Sequence, residues 1–167
     1  MLGEVLDFMR LIWALDHGLQ RTSKSMAATM GLTGTQRLVL RIVGRYPGIS
    51  AGRLAQVLYL HPSTLTGVLS RLERRDLLHR TKDVRDARRS LLKLTPRGWR
   101  LNEPAAGTVE SSVRRALGKF TGRQLQTARE VLVAVAGDLL EQTAPRQATE
   151  RTTAGERRRP LPGSEGS

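Results

Sequence analysis

The stretch HPSTLTGVLSRLERRDLLHRTKDVRDARRSLLKLTPRG, residues 61–98, changes its apolar period partway along, and that change decides the fold. In its first part Leu65, Val68, Leu69 and Leu72 recur at three- and four-residue steps, which predicts one buried face of a helix running to about residue 75. Pro62 stands where the first helical residue tolerates proline, which leaves His61 as the N-cap. After Asp76 the runs LLHRT and RSLLKL are short, β-compatible and separated by the polar KDVRDAR, so they predict a two-stranded hairpin with residues 82–88 at its tip. Thr95 and Pro96 then open another helix as N-cap and first residue.

Working upstream, Thr33 and Gln36 form a capping box before a helix over residues 34–43, with Leu38, Val39, Ile42 and Val43 expected to point inward and Gly44 to provide a left-handed stop. Tyr46-Pro47-Gly48 reads as a turn, and Ser50 caps a short helix with Leu54, Ala55 and Leu58 inward. The tight connection at Tyr59, Leu60 and His61 makes this helix and the next a helix-turn-helix. The outward face of its second helix then consists of Ser63, Thr64, Thr66, Gly67, Ser70, Arg71 and Arg74, small hydroxyls and arginines suited to a nucleic-acid groove.

The flanks are different in character. Residues 2–30 carry Val5, Leu6, Met9, Ile12, Trp13, Leu15 and Leu19 at helical spacing, an apolar face wide enough to require a partner. The helix starting at Pro96 is expected to continue to about residue 117, with Pro104 and Gly107 kinking or breaking it. Thr121 and Gln124 repeat the capping-box pattern before a last helix marked by Leu125, Ala128, Val131, Leu132, Val135, Leu139 and Leu140. From residue 143 the chain is poor in large apolar residues and rich in Pro, Gly, Ser, Thr and charge, the composition of a disordered basic tail. The fold class expected is mainly α (α+β): a winged helix-turn-helix over residues 31–95, a helical dimerisation region from residues 1–30 and 96–142, and a tail over residues 143–167.

Charge indicates the partner. The chain of 167 residues has a formal net charge of +13, and eleven of its Lys and Arg residues lie between Arg71 and Arg100. Such a balance favours a polyanion, nucleic acid or an acidic membrane surface. No apolar run approaches a membrane span, so the expectation is a soluble cytoplasmic protein. With no cysteine, thiolate metal sites and thiol redox sensing are excluded, and His17, His61 and His79 are too scattered to form a metal site. No cofactor is expected. The chain lacks a Gly-rich phosphate loop, a nucleophile elbow and a metal-ligand cluster, so it is not read as an enzyme.

The recognition-helix sequence STLTGVLSRLE, the Asp86-Ala87-Arg88 wing tip and the following LT-x-x-G resemble the winged helix-turn-helix of the MarR (multiple-antibiotic-resistance regulator) family, and helix order extends the resemblance over residues 5–142. The resemblance implies an obligate homodimer that straddles a pseudo-palindromic operator on double-stranded DNA. It also implies a transcriptional regulator, usually a repressor, that a small molecule or oxidant releases. Arg88 matches the wing-tip arginine that enters the minor groove, Asp86 the acid that orients it, while Arg85 and Lys82 are expected on phosphates. The implied effector crevice would be lined by Phe8, Ile12, Trp13, His17, Met30, Leu38 and Trp99, with basic residues nearby favouring an aromatic or acidic compound. Two positions depart from the family pattern. His61 stands where Asp often caps, and is expected to cap poorly when neutral. Asp76 stands where glycine commonly ends the helix. The alternative function is a non-specific nucleic-acid-binding protein.

Overall fold

The computed structural model describes residues 3–84, 86 and 89–141. The order is α1 (Glu4–Met30), α2 (Gly34–Arg45), β1 (Ile49–Ser50), α3 (Ala51–Val57), α4 (Pro62–Arg74), β2 (Leu78–Lys82), β3 (Ser90–Leu94), α5 (Pro96–Asn102), α6 (Val109–Leu117) and α7 (Gly122–Glu141). Contacts divide the chain after Lys119 into two compact units. The expected tail, residues 143–167, lies outside the described residues.

The first unit is built on the leucine set read from the sequence. Val39, Leu40 and Val43 of α2, Leu54 and Ala55 of α3, and Leu65, Val68, Leu69 and Leu72 of α4 bury together with Leu32, Leu77, Leu78, Leu92 and Leu94. Each leucine so buried contributes roughly 1.5–3 kcal/mol over exposure, before chain entropy is set against it. The capping box that starts α2 is complete: Thr33 Oγ1 accepts from the Gln36 amide at 3.2 Å, and Gln36 Oε1 from the Thr33 amide at 3.0 Å.

Two expectations on α2 are corrected. Val39 and Val43 are buried and Ile42 packs on the core as expected, but Leu38 is 49% exposed, and Leu40 and Arg37, the latter 1% exposed, are buried in its place. Gly44 does not stop the helix, which runs on to Arg45. Its smallness serves packing, since a Cβ there would lie 2.6 Å from Asn102 Nδ2 and 3.1 Å from Leu94 Cδ1. The expected two-stranded hairpin is present as β2 and β3, and the short β1 adds a third antiparallel strand in the order β1-β3-β2. Gly48, at φ 85°, turns the chain so that its amide donates to Leu92 O at 2.8 Å, and Ile49 and Ser50 pair with Leu92 and Leu91. A two-residue strand has no period to read.

The helix expected over residues 96–117 is broken into α5 and α6, with Pro104 and the left-handed Gly107 in the gap. Arg37 closes the break. Its Nη1 and Nη2 donate to Leu101 O and Glu103 O, each at 2.7 Å, satisfying carbonyls that the end of α5 leaves open. Its Nε and Nη2 contact Glu110 Oε1 of α6 at 2.8 and 2.6 Å, and Arg41 adds a longer approach to the same oxygen at 3.6 Å. Thr108 and Ser111 form a second capping box at the start of α6. On its other side α5 packs on β3, so it belongs structurally with the winged region that it follows.

Thr95 and Gly98 explain the LT-x-x-G spacing. Thr95 Oγ1 accepts from the Gly98 amide at 3.0 Å and donates to Asp76 O at 2.7 Å, which ties α5 to the end of α4. A Cβ on Gly98 would sit 1.9 Å from Leu77 O, inside the backbone itself, so only glycine fits.

The long helices keep apolar surface uncovered. On α1, Val5, Leu6, Phe8, Met9, Leu11, Trp13, Leu15 and Leu19 are exposed, and Met26 is its buried residue. In the second unit α7 opens on the predicted Thr121–Gln124 bonds and leaves Val131, Leu132, Val133, Leu139 and Leu140 exposed. Among the described residues no helix is long and apolar enough to cross a membrane.

Candidate nucleic-acid interface

Helix α4 is divided cleanly by burial. Leu65, Val68, Leu69 and Leu72 hold it to the core, while Ser63, Thr64, Thr66, Arg71 and Arg74 are exposed and Gly67 and Ser70 are half-buried. All seven predicted residues therefore share one helix, and five of them are exposed. Thr66 Oγ1 donates to Pro62 O at 2.8 Å, and Arg74 Nε reaches Ser70 O at 3.4 Å. Among the described residues Arg71 makes no contact of this kind, which leaves its guanidinium able to fork onto an acceptor pair.

The two ends of α4 are set by unusual residues. Tyr59 before it and Asp76 after it both adopt left-handed backbone, at φ 52° and 54°. Asp is among the residues that tolerate this region, which is the physical reason it substitutes for glycine there. His61 stands at the N-cap as expected, with Nδ1 3.3 Å from the Ser63 amide, a long cap, and 2.7 Å from Ser63 Oγ.

The wing runs from Lys82, opposite Ser90, into a tip where Asp83 N donates to Arg89 O at 3.0 Å and Arg89 N to Asp86 O at 2.9 Å. Lys82 and Asp86 are exposed. Arg85 and Arg88 lie outside the described residues. Sequence reasoning missed Arg80. Its Nε bonds both Glu73 oxygens at 3.0 Å and its Nη2 lies 3.0 Å from Oε2, so β2 is clamped to α4 and one arginine of the basic cluster is neutralised. The wing is thus oriented by the recognition helix itself. A charge pair seven residues apart across a helix–strand turn leaves no periodic signature.

A cleft of about 500 Å³ lies between α1, α2 and α6, lined by Asp16, Leu19, Gln20, Ser23, Gly34, Thr35, Leu38, Val109, Glu110 and Val113. Of the predicted crevice residues Leu38 alone lines it. Phe8, Trp13 and His17 lie exposed on α1, Ile12 and Met30 are half-buried there, and Trp99 is exposed on α5. The charged side chains lining the cleft are the carboxylates Asp16 and Glu110, and the basic residues nearby, Arg37 and Arg41, pair with Glu110. No group of three or more metal-ligating side chains occurs among the described residues.

A sequence model of the MarR family matches residues 32–90. The homoprotocatechuate degradative operon repressor of Escherichia coli is 33% identical over 102 residues, 60% of this chain and 68% of that protein. The organic hydroperoxide resistance transcriptional regulator of Bacillus subtilis is 27% identical over 125 residues, 73% of this chain and 82% of its own length. Among solved structures, a mutant MarR from E. coli complexed with operator DNA superposes with a TM-score of 0.63 at 25% identity, covering 79% of this chain and 95% of that one.

Proposed function

The chain belongs to the MarR family of transcriptional regulators, and from that membership we propose that it acts as a dimeric, sequence-specific DNA-binding repressor released by a small molecule. The observation that carries this reading is the divided face of α4, apolar side buried and hydroxyls and arginines exposed, clamped to the wing by Glu73 and Arg80. Thr64, Thr66, Ser70 and Arg71 read or grip the major groove, with Ser63, Gly67 and Arg74 beside them. Lys82 and Arg85 hold phosphates, and Arg88, oriented by Asp86, enters the minor groove. A second copy covers the apolar faces of α1 and α7, which sets two recognition helices about one DNA turn, ~34 Å, apart. The functional division is a DNA-binding part over residues 31–95 and a dimerising part from the flanking helices. Such a regulator works in the cytoplasm.

The effector site is the cleft between α1, α2 and α6. Glu110 is already matched by Arg37 and Arg41, and the remaining lining is mainly apolar with Asp16 at hand. That lining offers an acidic compound no counter-charge and suits an apolar compound carrying a hydrogen-bond donor.

The test is fluorescence anisotropy on a duplex from upstream of the chain's own gene, against a scrambled duplex, across a salt series. A preference of about 10³-fold or more, saturating at one dimer per site, is expected. The preference is expected to collapse in Arg88→Ala while the dimer survives. Equal, steeply salt-dependent binding to both duplexes, followed by no enriched site in a selection from genomic fragments, would establish a non-specific binder instead.

A further inference from the structure

At the head of α4 the Thr64 hydroxyl and the outer nitrogen of His61 have no hydrogen-bond partner among the described residues, and only the His61 group is held in direction by a cap. His61 is exposed, and its Nδ1 faces the Ser63 amide at 3.3 Å and Ser63 Oγ at 2.7 Å. A backbone amide only donates, so Nδ1 presents its lone pair, and in neutral imidazole the proton then resides on Nε2. The cap holds the direction of the ring, and an accepting Nδ1 leaves Nε2–H pointing outward. Nε2 has no hydrogen-bond partner among the described residues.

Its neighbours are differently disposed. Thr66 already donates its hydroxyl proton to Pro62 O, and Ser63 Oγ donates to His61 Nδ1 when that nitrogen accepts. Duplex phosphates offer only acceptors, as do guanine N7 and O6 and thymine O4 in the major groove. Among HTH proteins the N-terminal end of the recognition helix is the part that reaches the bases. An unpartnered donor at that end matches those acceptors.

We propose that His61 is a DNA-contacting residue whose Nε2–H donates to an acceptor of the duplex at the N-terminal end of α4. This rests on reading α4 as the recognition helix. Both sources of the acceptor, a phosphate oxygen or a base edge, share the chemistry, and the experiment separates them.

The measurement compares the full chain with His61→Asn, which keeps a capping oxygen but withdraws the outward ring donor. Long-range ¹H–¹⁵N correlation on the free wild type is expected to show the Nε2–H tautomer. The variant is expected to keep its thermal midpoint and lose about three- to tenfold in affinity for the upstream duplex. Across duplexes carrying single base-pair changes, a phosphate contact gives the same loss on each, whereas a base contact gives a loss that disappears at one base pair. An Nδ1–H tautomer, unchanged affinity, or a loss matched by a fall in thermal midpoint overturns the proposal. A wild type that shows no preference for any duplex is a separate result, and it overturns the recognition-helix reading together with this one.

Discussion

Helices α4 and α1 are both amphipathic, yet one is finished within the chain and the other is not. The apolar face of α4 meets leucines of α2, α3 and the wing, and Leu65, Leu69 and Leu72 keep almost no exposed surface. The apolar face of α1 carries larger side chains, and Trp13 is 58% exposed. The difference teaches that hydrophobic periodicity identifies a face to be covered but not what covers it. A face of singles within a core is closed by its own chain; the eight exposed apolar residues on α1 form a surface of the kind that marks an interaction site.

That contrast makes graded predictions. Gly98→Ala attacks the finished half where backbone meets backbone, and is expected to cost about 3 kcal/mol or more, read as a fall in the urea midpoint. Should the variant keep wild-type stability, the close approach of α5 to Leu77 is not the constraint described. Glu110→Gln strips the buried Arg37 of its carboxylate but leaves two carbonyls on its guanidinium, for an expected loss of about 2–3 kcal/mol by the same measurement. Trp13→Asp acts on the unfinished half. Sedimentation equilibrium is expected to show self-association weakened by about 2 kcal/mol, with the winged region still folded by circular dichroism. If the chain unfolds without any change in association, the comparison itself breaks. Thr33→Ala, which removes one side of the capping box on α2, sharpens the scale at about 1 kcal/mol and leaves association untouched.

What was legible in the sequence were features with local causes. Pro62 and Pro96 as first helical residues, Thr33, Ser50, Thr95 and Thr121 as caps, and the leucines of α4 all stand where spacing put them. Features set by tertiary contact were not legible. Arg37 interrupts an apolar pattern and reads as solvent-facing, because its reason for burial, the broken end of α5, lies 64 residues away. Leu38 consequently appeared inward when it lines the cleft. Gly44 carried the signature of a stop, whereas its neighbour Asn102 set its identity. The exposed face of α4 was readable because a buried stripe defines its complement. The cleft was not, since its walls come from three helices whose mutual placement no single period records.

Tyr59 and Asp76 bracket the recognition helix with left-handed backbone, while Thr95 ties the Asp76 carbonyl to α5 and Arg80 ties Glu73 to the wing. Tyr59, Asp76 and Thr95 lie outside the helix that carries Thr64, Thr66 and Arg71. Position and content are therefore largely separate in this helix. Most of its placement is written beyond its own ends, so the vocabulary of its exposed face is free to drift, or to be redesigned for another operator, with that frame left unchanged.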